Sequence, residues 1–327
     1  MANSAELNDW TLANARWLQL EVIRRTWPEE WLPGWHDYQV TISVQDKKHT
    51  GRGLATSEEM AFAKASAEAF ERASLSGYEV PWATAAYPEY SGAAKRAYWE
   101  LLGIDRVICH HLCRKRFWNV SLEILADNLP LSQLQAMLSK NKLVLYLYEL
   151  RPAKDAKTCA AFIWSGDKNH DTKGFVTGFG TSESLEVAAN HATIECLRTA
   201  IAVFLGKTKP AVTLEQLRQA RCPSWHLWMA QSQKAMDYLK QHLIPEGNPL
   251  EGKNTEDICE GMVVITRIEQ LQALFPGIPL AVVQAKSDKL IKPQFGEPTL
   301  DNATTLRLKA FDCKPLSIDL SVPHFYG

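Results

Sequence analysis

Hydrophobic and polar positions alternate strictly along Tyr38-Gln-Val40-Thr-Ile42-Ser-Val44-Gln, the period of a strand with one buried face. Ahead of it, Trp10, Ala13, Trp17 and Leu20 recur at helical spacing, which predicts a helix from about Ala5 to Thr26 that Pro28 ends. Thr56-Ser-Glu-Glu59 reads as a capping box opening an alanine-rich helix. Helices are further expected from about Gly92 to Cys113 and from Leu131 to Lys140. The apolar run Leu143-Val-Leu-Tyr-Leu-Tyr148 predicts a central strand buried on both faces, with Cys159 to Trp164 and Gly174 to Gly180 as its neighbours. A second alanine-rich helix follows to about Leu205, then a helix near Gln231 to Leu243, a loop over Ile244 to Asn254, and strands at Met262 to Arg267 and Leu280 to Ala285. The sum is an α+β fold, with helices packed on mostly antiparallel sheets.

One pattern occurs twice. Gly51-Arg52-Gly53 precedes a helix carrying Lys64, Glu68, Glu71 and Arg72, and Gly178-Phe179-Gly180 precedes a helix carrying His191, Glu195 and Arg198. Fifteen residues separate Gly53 from Glu68, and fifteen separate Gly180 from Glu195. Ser57 and Ser184, Ala61 and Ala188, and Ala65 and Ala192 share the same offset of 127. This is an internal pseudo-repeat, and it suggests one site in two parts. Glycine turns before a helix expose backbone amides that attract phosphates. Glutamates deeper in each helix are candidates for Mg²⁺. Glu68, Glu71 and Arg72 share one helix face, an arrangement that in an arbitrary helix is usually a solvated ion pair.

The pattern resembles the YcaO family, whose members carry a Gly-Lys-Gly-like segment and a Glu-x-x-Glu-Arg helix. Cys222-Pro-Ser-Trp-His226 is similar to the family's Pro-x-x-His segment. The stretch from Val282 through Ser287 and Pro293 to Gly296 is similar to its late strand and loop, and Pro323-His-Phe-Tyr-Gly327 to its proline-rich end. Residues 37–327 form the YcaO-like domain on this resemblance, and 1–36 an N-terminal helical segment. Lys64 stands where members usually have serine, Arg198 where they have glutamine, and Ala97 to Asp105 keeps only Glu100 of a further Glu-x-x-Glu-Arg helix.

The resemblance implies Mg²⁺-ATP-dependent activation of a peptide backbone amide. A nucleophile attacks the carbonyl, ATP phosphorylates the resulting oxyanion, and loss of phosphate leaves an azoline, thioamide or amidine. Glu68, Glu71 and Glu195 would hold the metal. Gly51, Arg52, Gly53, Lys64, Arg72 and Arg198 complete the nucleotide-binding set. A precursor peptide and a leader-recognising partner protein are the implied partners, in a homo- or hetero-oligomer. The alternative is a pseudoenzyme that serves as a peptide-binding or assembly subunit.

Composition narrows the setting. A net charge of −1 gives no electrostatic reason to expect nucleic acid or an anionic membrane. The first residues lack a signal peptide's pattern and no apolar run nears ~18 residues, so a cytoplasmic address is expected. Seven irregularly spaced cysteines read as free thiols in a reducing compartment. Cys109 and Cys113 offer half of a zinc site without a second pair, and packed thiols are the expected reading. Eleven tryptophans, with Trp27, Trp31 and Trp35 clustered, are expected in aromatic packing rather than in a peptide groove.

Overall fold

The computed structural model describes residues 2–77, 82–165, 174–205, 230, 232–244, 256–258, 260–294 and 300–313. In chain order the main elements are α1 (Ala2–Ala13), β1 (Glu21–Arg25), α2 (Trp27–Trp31), β2 (His36–Val44), β3 (Lys47–Ala55), α3 (Glu58–Ser74), β4 (Thr84–Tyr87) and α4 (Tyr90–Leu112). There follow β5 (Trp118–Val120), α5 (Leu131–Lys140), β6 (Leu143–Glu149), β7 (Lys157–Ser165), β8 (Phe175–Ser182) and α6 (Leu185–Ala200). The last are α7 (Gln233–Tyr238), β9 (Val264–Arg267), α8 (Gln270–Leu274), β10 (Ala281–Lys286) and α9 (Asn302–Ala310).

Two compact units share the chain: Met1–Tyr98 with Val263–Lys286, and Trp99–Met262 with Ser287–Gly327. The first unit holds two antiparallel sheets, ordered β1-β2-β3 and β4-β10-β9. Gln45 and Asp46 join β2 to β3, both at positive φ (51° and 62°), as a two-residue hairpin loop that matches strand twist requires. Helix α3 covers this sheet with its alanine face. Val40, Ile42, Ala65, Ala69, Phe70 and Phe275 are buried together there. Trp10 and Phe275 meet Phe70 edge-on, with centroids 5.7 and 4.9 Å away.

The second unit is built on the antiparallel sheet β5-β6-β7-β8. On one face Tyr148, Phe162 and Phe175 pack with Phe117, Met236 and Leu239. On the other, the glycines of β8 admit α6. Both motif helices are opened by serine, one residue beyond the expected cap in α3. Ser57 accepts from the Met60 amide and Ser184 from the Val187 amide.

The sequence pattern places β2, α4, α5, β7 and β8 within a few residues of their observed bounds. The N-terminal helix is shorter than expected. It ends at Ala13, Gln19 takes positive φ (47°), and the β-branched Val22 and Ile23 enter β1 against β2. Strand β6 is central, yet Tyr146 is exposed, so it is not buried on both faces throughout. The expected loop at 245–254 lies outside the described residues, as do Cys222 to His226, Gly296 and Pro323 to Gly327.

Candidate functional site

Gly51 and Gly53 lie inside β3, and Gly178 and Gly180 inside β8, so the expected glycine turns are strands. The physical reason is the period of two: alternate residues of a strand face one side, and here that side is a helix. A Cβ on Gly53 would come within 1.9 Å of the Ala61 carbonyl oxygen, and one on Gly51 within 2.2 Å of that of Ala65. On Gly180 and Gly178 it would lie 2.1 and 2.2 Å from the carbonyl oxygens of Ala188 and Ala192. The small residues let strand and helix backbones touch.

That closeness determines what the glutamates do. Among the described residues both β3 and β8 end their sheets, leaving backbone amides on the outer edge that no described strand satisfies. The amide of Arg52, between the two glycines, donates to Glu68 Oε2 at 2.8 Å. The amide of Phe179 donates to Glu195 Oε2 at 2.7 Å. Each carboxylate is therefore bound at the strand edge by the residue between the two glycines that touch the helix.

In the first unit, the other Glu68 oxygen meets Arg72 at 2.5 Å, and Arg72 also donates to the Thr50 carbonyl. Glu71 turns to β4, where Oε1 accepts from the Thr84 hydroxyl at 2.7 Å. Burial pushes the Glu71 carboxyl above the usual carboxylate range. The Thr84 and Ala86 hydrogen bonds oppose that shift, and the charge of Glu68 adds to it. Lys64 is exposed and donates to the Leu54 carbonyl at 3.2 Å. Arg52 is held by Asp37, NH2 to Oδ2 at 2.6 Å, and Trp27 Nε1 donates to the same oxygen at 2.5 Å. Asp37 is fully buried, and no motif in the sequence marks it. Its one signal is a carboxylate at the start of a strand, where Asp is depleted.

In the second unit, Glu195 is exposed and Arg198 half-buried in the last turn of α6. The segment from Ala97 to Asp105 lies on α4, where a Cβ on Gly103 would meet Thr181 Oγ1 at 2.8 Å. Asp105 and Arg106 are fully buried. Arg307, on α9, grips Asp105 through Nε to Oδ1 at 2.9 Å and NH2 to Oδ2 at 2.7 Å. Glu256 accepts from Arg307 NH1 at 2.6 Å and pairs with Arg106 at 2.8 Å, and the Ile291 amide donates to Asp105 at 2.9 Å. Sequence reasoning missed this cluster, whose members are up to 202 residues apart.

Cys109 and Cys113 are buried, and burial raises both thiols, which disfavours the thiolates zinc needs. His110 is fully used: Nδ1 donates to the Lys115 carbonyl and Nε2 accepts from the Arg151 amide, each at 2.9 Å. Among the described residues no three His, Cys, Asp or Glu side chains cluster to hold a metal by themselves. Glu68 and Glu71 nevertheless suit Mg²⁺ in kind. Mg²⁺ takes one or two carboxylates and completes its shell with phosphate and water oxygens. A bound cation would offset the burial of Glu71 and the Glu68 charge that adds to its upward shift.

The sequence matches no protein-family model and no curated protein. Solved structures do match. A heterocyclase in complex with substrate and cofactor superimposes over 98% of this chain with a TM-score of 0.66 and 15% identity. YcaO from Methanopyrus kandleri, bound with AMPPCP and Mg²⁺, does so over 91% of this chain and 95% of its own, with a TM-score of 0.59 and 13% identity. The chain has the YcaO fold. It spans 57% of the heterocyclase's length, little more than half. Within the YcaO fold of this chain, β3 with α3 and β8 with α6 supply the same local device, a glycine-bearing edge strand whose amide is taken by a helix glutamate. Among the described residues, no helix is long and apolar enough to cross a membrane.

Proposed function

We propose that this YcaO-fold protein activates a backbone amide of a ribosomally made peptide at the expense of ATP, forming an azoline, thioamide or amidine. The observation that carries the reading is the Glu68–Glu71 pair. Two carboxylates share a face of α3, and one is raised by burial and by its neighbour's charge. Two carboxylates one helical turn apart are suited to a divalent cation. Bound Mg²⁺-ATP would supply the phosphoryl group that turns an amide oxygen into a leaving group. Glu68 and Glu71 are the metal-facing candidates in the first unit and Glu195 in the second. Arg52 and Arg72 present guanidinium groups suited to phosphate oxygens. Asp37, fixed by Trp27, holds Arg52 in place.

We read the matching β3–α3 and β8–α6 arrangements as an internal pseudo-repeat, residues 37–327 as the YcaO-like domain and 1–36 as an N-terminal segment. A precursor peptide is the substrate and a leader-binding protein the partner. None of the five described cysteines is disulfide-bonded, which suits a reducing compartment such as the cytoplasm. A second reading has one observation in its favour. Arg72 and Arg52 already have carboxylate partners, at 2.5 and 2.6 Å, as in a scaffold subunit that has closed its nucleotide site.

Calorimetric titration of the full chain with ATP and Mg²⁺ separates the two. The enzyme reading expects binding that Glu68→Gln and Glu195→Gln each abolish. An absence of heat at millimolar nucleotide leaves the scaffold reading.

A further inference from the structure

Strand β1 ends its sheet, and all five of its residues, Glu21-Val22-Ile23-Arg24-Arg25, are exposed. Val22 and Ile23 leave 43% and 44% of their surface open. Natural edge strands are guarded by proline, a bulge, a covering segment or charged side chains, and β1 has only the last, in Glu21, Arg24 and Arg25. This one has no proline within it and pairs with β2 in unbroken register from Glu21↔Thr41 to Arg25↔Asp37. Among the described residues nothing pairs with its outer edge, which presents backbone donors and acceptors beside two apolar side chains.

The sequence of the strand states what fits there. Two copies meeting edge to edge across a two-fold axis normal to the sheet pair antiparallel, and the pleat requires opposed residues to lie on the same face. The numbers of an opposed pair must then differ by an even amount. Centring the axis on Arg24 sets that cation against itself. Centring it on Val22 leaves Glu21 opposite an apolar residue. Centring it on Ile23 sets Glu21 opposite Arg25 twice, Ile23 against Ile23, and Val22 against the aliphatic stem of Arg24. This register alone sets Glu21 against Arg25, while Arg24 keeps Glu58 of its own chain, and cross-strand pairs of this kind stabilise a sheet.

Nearby charges permit it. Glu21 holds Lys48 at 2.6 Å, Arg25 donates to Gln39 at 2.6 Å, and Arg24 faces Glu58 at 3.2 Å. All these contacts lie on the β1 side chains and leave the outer backbone edge open to a partner.

We infer that β1 is a self-docking edge through which two copies of this chain join their three-stranded sheets into a continuous six-stranded one, in register about Ile23. A contact of five residues per copy lies below the standard interface size, so the dimer is a micromolar one. The surface is independent of the nucleotide reading and stands or falls separately from it.

Sedimentation velocity on the full chain, from about 1 to about 200 µM, tests this across the range such an interface supports. A concentration-dependent monomer–dimer equilibrium is expected. Glu21→Arg and Arg25→Glu each replace two attractive pairs with two repulsive ones, and each should weaken the dimer at least about tenfold. Mixed in equal amounts, the two variants should associate again, because each then faces the opposite charge. Should either variant fail to give the wild-type circular dichroism, Ile23→Lys, which sets like charges against each other on the axis, replaces it with the same expected loss. A wild-type chain that stays monomeric overturns the inference. So does a dimer that the variants leave unchanged, or a mixture of folded charge-reversed variants that stays apart.

Discussion

Replacing Asp105 by Asn tests the buried charge cluster of the second unit directly. Asp105, Glu256, Arg106 and Arg307 form two acids and two bases, buried except for the partly exposed Glu256, so the cluster is neutral as built. Burial by itself would raise the Asp105 carboxyl. The charge and hydrogen bonds of Arg307, then Arg106 and the Ile291 amide, outweigh it and hold the group below its ordinary range. Asn is nearly isosteric but leaves one positive charge uncompensated in a low-dielectric site. Breaking a buried pair in this way costs about 3–5 kcal/mol. At ~2–4 °C per kcal/mol for a unit of this size, the melting temperature should fall by about 10 °C. Arg307→Met should destabilise comparably. The double variant retains the Arg106–Glu256 pair at 2.8 Å and is neutral again. Its loss should therefore be smaller than the sum of the two single losses by at least ~1.5 kcal/mol. Because the Asp105 pKa is lowered on folding, its contribution is full above the unfolded carboxylate pKa and is lost as pH falls through the folded one. Urea melts from pH 7 down to pH 3 should thus be steeper for the wild type than for Asp105→Asn at the acid end. Asp105→Asn melting within ~2 °C of the wild type, or single losses that simply add, would refute this account.

Three further outcomes follow from the strand–helix units and from His110. Gly53→Ala and Gly180→Ala force a Cβ to within 1.9 and 2.1 Å of a helix carbonyl oxygen, so each should cost about 1–3 kcal/mol in urea denaturation as strand and helix separate. Glu71→Gln keeps an acceptor for Thr84 and removes a carboxyl group whose ionisation folding disfavours. The raised pKa favours the native state below it and disfavours it above, so the variant should gain stability relative to the wild type at pH 8 but not at pH 4, as thermal melts at the two pH values will show. His110 is depressed to about 3 by burial, so the unfolded chain takes up its proton first as pH falls below ~6.5. Stability should decline by up to ~1.4 kcal/mol per pH unit from there towards pH 3, and His110→Gln should flatten that slope.

The fold was legible where local pattern and tertiary placement agree. Strict alternation located β2, and the alanine faces of α3 and α6 were readable because helix–sheet contact at glycine demands small residues on both sides. Strand β1 was not readable, because its apolar residues do not alternate and every one of them is exposed. Asp37 and the Asp105 cluster escaped for a different reason. Their meaning lies in partners brought together by folding, Arg52 and Trp27 in one case and Arg307 and Glu256 in the other. No spacing along the chain encodes those meetings.

Gly-x-Gly is where the sequence misled, and the reason bears on the chemistry. A turn would have offered several free amides to a phosphate, whereas a strand edge offers one per exposed position, and in both units the helix glutamate already takes it. A carboxylate fixed by a backbone donor on one oxygen has lost much of its rotational freedom. In Glu68 the second oxygen is left to Arg72, a half-exposed i,i+4 partner whose pairing is worth only ~0.3–0.5 kcal/mol. A metal or a phosphate-bound cation could displace that guanidinium at little cost, while the amide bond keeps the carboxylate aimed. The same contact therefore completes the fold and pre-orients the glutamate. Glu68→Gln separates the two roles. The amide oxygen still accepts from Arg52, so stability should change by no more than ~0.5 kcal/mol in urea melts. Affinity for Mg²⁺-ATP, read by calorimetry, should collapse. Loss of folding together with binding would mean that the carboxylate serves the strand edge alone.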